Sequence, residues 1–78
     1  MDISNEDHVL KLLAKEWELT GPPGILDLSA VVAALPLAPS ETLGAIKSLF
    51  EAGLVDMNAH KTSVFLTPKG YERYENSG

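Results

Sequence analysis

The sequence predicts a mostly helical α+β domain, in which three helices cross on one core and a β-hairpin and a short last helix close it. Two observations predict this. Apolar residues recur at steps of three and four in three separate segments, then alternate at steps of two from Leu54 onward. Gly21-Pro22-Pro23-Gly24, Pro36, Gly53 and Pro68 punctuate the boundaries between those segments.

The first helical segment covers about residues 5–19, with Val9, Leu10, Leu13 and Trp17 on one stripe and Leu12 widening it. Ser4 or Asn5 is the expected N-cap, and Glu6 and Asp7 suit the positive end of the helix dipole. Ile25 and Leu26 form an apolar pair, long enough only for an edge strand. Leu28, Val31, Val32 and Leu35 mark a second helix, capped by Asp27 or Ser29 and ended by Pro36. At barely two turns it needs its neighbours to hold it. A third helix is expected from about Pro39 to Ala52, with Leu43, Ile46, Leu49 and Phe50 facing inward. Gly53 supplies a left-handed C-terminal cap, and Leu54 packs back on the helix end.

Leu54–Asn58 and Thr62–Leu66 then read as two strands of a hairpin, with Ala59, His60 and Lys61 at the tip. Leu54, Val64 and Leu66 cover the open edge of the helical core. Thr67 and Pro68 start a last short helix carrying Tyr71 and Tyr74 on one face.

At 78 residues the chain predicts one domain over 1–78, frayed at 1–4 and 75–78. So small a domain buries only about 60% of its unfolded surface, and without cysteine it has neither disulfide nor thiolate metal site to reinforce it. Docking onto a partner or a second copy of itself would add stability. The acidic start and the lack of a long apolar run argue against a signal peptide or membrane span, so a cytoplasmic location is expected.

The net charge of −5 argues against a protein built to coat phosphate backbones. Its distribution is uneven. Residues 1–37 set two lysines against six carboxylates, whereas residues 38–78 set four cations against five. The available cationic surface therefore lies in the second half.

The order helix, short strand, helix, turn, helix, hairpin, helix is that of a winged helix-turn-helix. The stretch from Glu41 to Val55, with its Gly53-Leu54 step, and the later Val64-Phe65-Leu66-Thr67-Pro68-Lys69-Gly70 resemble prokaryotic winged-helix regulators of the MarR and PadR type. The resemblance covers roughly residues 25–74. It implies that the exposed face of the third helix enters the DNA major groove while the wing approaches the backbone or minor groove. Carried onto this sequence, the groove-facing positions are Ser40, Glu41, Gly44, Lys47 and Ser48, with His60 and Lys61 at the wing tip and the Thr42 hydroxyl near the helix start. The family usually places one or two arginines on that face, where this chain has Gly44 and Ser48. No arginine is there to pair with guanine and no Asn or Gln with adenine; Lys47 is the one cation, and Glu41 beside it repels phosphate.

Gly44 costs the helix about 1 kcal/mol relative to alanine. Two explanations stand side by side: close packing against the second helix or simple tolerance, and close approach by a bound partner. Tyr71 and Tyr74 are expected to seal the core or to meet a second subunit, and Trp17 to lie in the core or face such a subunit. His8 reads as a surface residue. His8 and His60, without cysteine or a spaced carboxylate motif, do not form a metal site, and no cofactor is expected. No phosphate loop, Gly-x-Ser-x-Gly elbow or His-Glu-x-x-His pattern occurs, which reads as a non-enzyme. Two functions follow. One is a small, dimeric transcriptional regulator that binds double-stranded DNA, where paired half-sites would double a weak cationic face. The other is a winged-helix module for protein–protein contact that does not bind DNA.

Overall fold

The computed structural model describes residues 4–77. Frayed ends expected at residues 1–3 and 78 lie outside the described residues. Four helices and three strands follow in the order α1 (Asn5–Thr20), β1 (Leu26–Asp27), α2 (Leu28–Ala34), α3 (Pro39–Glu51), β2 (Val55–Met57), β3 (Ser63–Leu66) and α4 (Pro68–Ser77). Residues 75–77, expected to fray, continue the last helix.

Ser4 caps α1, its Oγ accepting the Asp7 N–H at 3.1 Å, and Glu6 and Asp7 lie in the first turn. Val9, Leu10, Leu13 and Ala14 form its buried stripe; Leu12 and Trp17 are half-buried at the margin of the core. Gly21 ends the helix, donating its N–H to the Trp17 carbonyl at 2.9 Å. β1 is displaced by one residue from expectation. It consists of Leu26 and Asp27, while Ile25 stands exposed. Asp27 occupies the N-cap position of α2 without a side-chain cap bond; its Oδ1 instead accepts the Ser63 hydroxyl of β3 at 3.3 Å. In α2 only Val31 is fully buried, and Leu28 and Leu35 pack against the core from its edge.

The sheet is antiparallel with strand order β1-β3-β2, so β3 is central. Leu26 pairs with Val64 and Val55 with Leu66. Alternation along β3 turns Val64 and Leu66 into the core, where both are fully buried with Val55 and Leu54. Leu54 itself precedes β2 and belongs to the turn that ends α3.

The third helix buries Ile46 and Leu49 as expected, but is turned so that Leu43 and Phe50 face outward. Its buried stripe is Thr42, Ala45, Ile46 and Leu49, while Leu43 and Phe50 are 45% and 46% exposed. Two apolar stripes run along this helix and share Ile46: 42-45-46-49 and 43-46-50. Only one can face the core. The chosen one carries the small side chains of Thr42 and Ala45, which let α3 lie close against α1. The Thr42 hydroxyl is buried with no hydrogen-bond partner, a further sign that packing sets the rotation.

The C-terminus of α3 closes in a Schellman turn. Gly53 takes φ +78°, its N–H reaches the Phe50 carbonyl at 3.0 Å, and the Leu54 N–H reaches the Leu49 carbonyl at 2.9 Å. Thr67 caps α4, accepting the Gly70 N–H on its Oγ1 at 3.0 Å, and the same hydroxyl meets the Gly53 carbonyl at 2.8 Å and the Leu54 carbonyl at 3.0 Å. Gly70 lies so close to this turn that a Cβ there would overlap the Leu54 carbonyl oxygen.

Two stability predictions follow from this packing. Leu49→Ala should cost about 2–5 kcal/mol in urea denaturation, against at most about 1 kcal/mol for the half-exposed Phe50→Ala; equal costs would mean that α3 is rotated otherwise. Gly70→Ala should cost at least about 2 kcal/mol, because the clash is with backbone that cannot move aside.

A candidate interaction surface on helix α3 and the wing

The outward face of α3 carries Ser40, Glu41, Leu43, Gly44, Lys47, Ser48, Phe50 and Glu51, all exposed. At its start Pro39 holds the first position, and the Glu41 carboxylate turns back to accept the Ala38 N–H at 3.1 Å. The helix N-terminus therefore already has a carboxylate on it, where a phosphate would otherwise find free N–H groups and a favourable dipole.

The hairpin tip is built by Asn58. Its Oδ1 accepts the Thr62 and Ser63 N–H groups at 2.8 and 3.0 Å, and its Nδ2 donates to the Thr62 hydroxyl at 2.9 Å. The Lys61 N–H closes on the Asn58 carbonyl at 2.9 Å, with Lys61 in the left-handed region at φ +57°. A non-glycine residue there costs about 1–2 kcal/mol. The lysine is thus held at a position where glycine would be easier, on a turn made rigid by Asn58.

The positions expected to form one DNA-reading face are divided by this structure. Lys47 and Lys61 do come together, lining an open groove of about 330 Å³ with Leu28, Leu43, Ile46, Phe50, Met57 and Glu51. Neither lysine makes an ion pair or a side-chain hydrogen bond among the described residues. Ser48 lies on the other flank of α3, lining a separate depression with Glu6, Asp7 and Arg73. Ser40 is exposed near the helix start and His60 at the wing tip, and neither lines the groove. Thr42 is corrected: it is 0% exposed, so its hydroxyl faces the core and is out of reach of a phosphate. Close packing of Gly44 against α2 is also corrected, since a Cβ added there would meet nothing within 4 Å.

Leu43, Phe50, Leu28 and Met57 are the surface residues that the sequence reading missed. For Leu43 and Phe50 the signal was the second apolar stripe of α3, read there as core, whereas Leu28 and Met57 were read as belonging to the second helix and the first wing strand. What distinguishes the two stripes is side-chain size, because the smaller one permits the closer helix–helix approach.

On the opposite side, Trp17 of α1 stacks on Tyr71 of α4 with ring centroids 4.8 Å apart and planes 8° from parallel. Tyr74 lies against Tyr71 at 6.0 Å. The Tyr71 hydroxyl donates to Glu18 Oε2 at 3.0 Å, and this bond, aided by burial and by the negative charges of Glu18 and Glu75, raises the phenol above the ordinary tyrosine value. The rings join two helices of one chain, in keeping with a seal along the core edge.

No family model matches the sequence, and no curated protein sequence matches it with significance. Among solved structures, the chain is similar to that of NadR in complex with 4-hydroxyphenylacetate, with a TM-score of 0.78 and 23% sequence identity. The match covers 95% of this chain and 51% of the NadR chain, so this chain spans about half the length of that one. No helix among the described residues is long and apolar enough to cross a membrane.

One titration checks the aromatic seam. The folded state holds the Tyr71 proton more tightly than the unfolded chain, so the stability this gives is present below the unfolded value of about 10 and is lost as pH rises through the folded value. Ultraviolet titration should show the Tyr71 phenol ionising above the ordinary tyrosine value, and Glu18→Gln should bring it back down. Together, element order, sheet order and the likeness to NadR establish the fold as a winged helix.

Proposed function

We propose that this chain is a winged-helix regulatory module that works by docking a protein partner on α3 and the wing, without reading DNA bases. The observation that carries this reading is the exposure of Leu43 and Phe50 on the flank of α3 beside Lys47. Leu19 and Ile25 are exposed as well, but Leu43 and Phe50 share one groove with Leu28 and Met57, and grouped apolar residues are what a partner surface presents. Base readout draws on Arg or Lys for guanine and Asn or Gln for adenine, and of these the face offers Lys47 alone, beside the shorter Ser40 and Ser48. Glu41 on the helix start and the net charge of −5 work against phosphate contact.

A second reading is the DNA-binding regulator. It is favoured by the likeness to NadR and by the pairing of Lys47 and Lys61 beside α3. Analogy of fold is a weaker warrant than the chemistry of the face. A salt series separates the two. With fluorescence anisotropy on random and promoter duplexes, the docking reading expects no binding even at ~50 mM salt, where phosphate contacts are strongest. Binding that falls steeply as salt rises, and that Lys47→Glu abolishes, would establish the DNA reading in its place.

A further inference from the structure

The groove between α3 and the wing has a definite chemistry. Its floor is Leu28, Leu43, Ile46, Phe50 and Met57, and Lys47 and Lys61 stand on it with no ion-pair partner among the described residues. Glu51 is the one carboxylate that lines it. In a chain of net charge −5, two lysines and one carboxylate beside an apolar surface make this groove locally positive. Lys61 is also kept in a left-handed backbone conformation by the Asn58 turn, which fixes where its side chain starts.

Resting on the docking reading above, we infer that the occupant is an acidic amphipathic helix of a partner protein. Its apolar residues would enter between Leu43, Phe50 and Met57, and its Asp or Glu side chains would pair with Lys47 and Lys61. Three features point to this occupant. Leu43, Lys47 and Phe50 lie at i, i+4 and i+7 along α3, so they form an exposed row of helical pitch that a second helix can match. The groove is open along its length, which suits a rod-like segment better than an enclosed small molecule. The charge of the rim then selects an acidic helix over a basic one. Strand addition is the poorer fit, because the groove is walled by side chains and β2 offers only Val55–Met57 as an edge.

The test is a selection on the whole chain from a phage library of 18-residue helices in which charge is left free. The expected winners carry net negative charge and apolar residues at i, i+3 or i+4 and i+7. Their binding should be lost with Leu43→Ser/Phe50→Ser and weakened at least tenfold by Lys47→Glu or Lys61→Glu, with circular dichroism melting used to confirm that each variant is folded. Both lysines are exposed and unpaired, so their variants keep the fold and isolate the charge contribution. Neutral or basic winners that still lose binding with Leu43→Ser/Phe50→Ser would overturn the acidic partner and leave protein docking standing. Winners indifferent to all four substitutions would overturn the groove as the site. No enrichment, together with duplex DNA shifting the α3 amide resonances, would overturn both this inference and the docking reading.

Discussion

The structure hangs on the junction at Leu54, where the end of α3, the root of the wing and the start of α4 share one short piece of backbone. The Leu54 N–H bonds back into α3 through the Leu49 carbonyl at 2.9 Å. Its own carbonyl meets the Thr67 N–H at 3.2 Å and the Thr67 hydroxyl at 3.0 Å. Gly70 packs directly over that carbonyl, and Lys69 Nζ donates to the Ala52 carbonyl at 3.3 Å, adding a cation at the negative end of the α3 dipole. Each bond alone is worth about 1 kcal/mol. Their importance is geometric, since the end of α3, the root of the wing and the start of α4 are fixed by the same few atoms.

That junction explains why the Gly53-Leu54 step and the Leu66-Thr67-Pro68-Lys69-Gly70 run occur together. The first supplies a left-handed turn and a carbonyl; the second supplies a hydroxyl, a helix start and a gap where a Cβ would not fit. They are two halves of one contact. With the end of α3 fixed here and its small-residue stripe laid on α1, the rotation of the helix has no freedom left. Leu43 and Phe50 then stand outward beside Lys47, and the Asn58 turn brings Lys61 to the same groove. The apolar and cationic residues of this surface are thus placed by how the core packs.

The sequence made the architecture legible wherever a signal was local. Ser4, Gly21, Pro39, Gly53, Thr67 and Pro68 each act through their own turn, and the elements begin and end within a residue or two of where these residues put them. It failed where a choice depended on tertiary packing. Periodicity could not choose between two apolar stripes sharing Ile46, because both have helical spacing and the richer one is not the buried one. The same error placed Thr42 at a DNA surface when its hydroxyl lies in the core. The Asn58 clamp escaped notice because Asn58 reads as the last residue of the first wing strand, and its three bonds across the tip depend on register. Lys47 and Lys61 were both singled out from the sequence, but their shared apolar floor needed the fold to bring Leu28 and Met57 beside them.

Amide hydrogen exchange of the native protein tests the Leu54 junction most directly. The account predicts that the N–H groups of Leu54 and Thr67 exchange only when the whole domain unfolds, with the same protection as the core amides of Leu13 and Ile46. Leu54 and Thr67 exchanging orders of magnitude faster, while Leu13 and Ile46 stay protected, would show that the fold holds without the junction and would contradict the account.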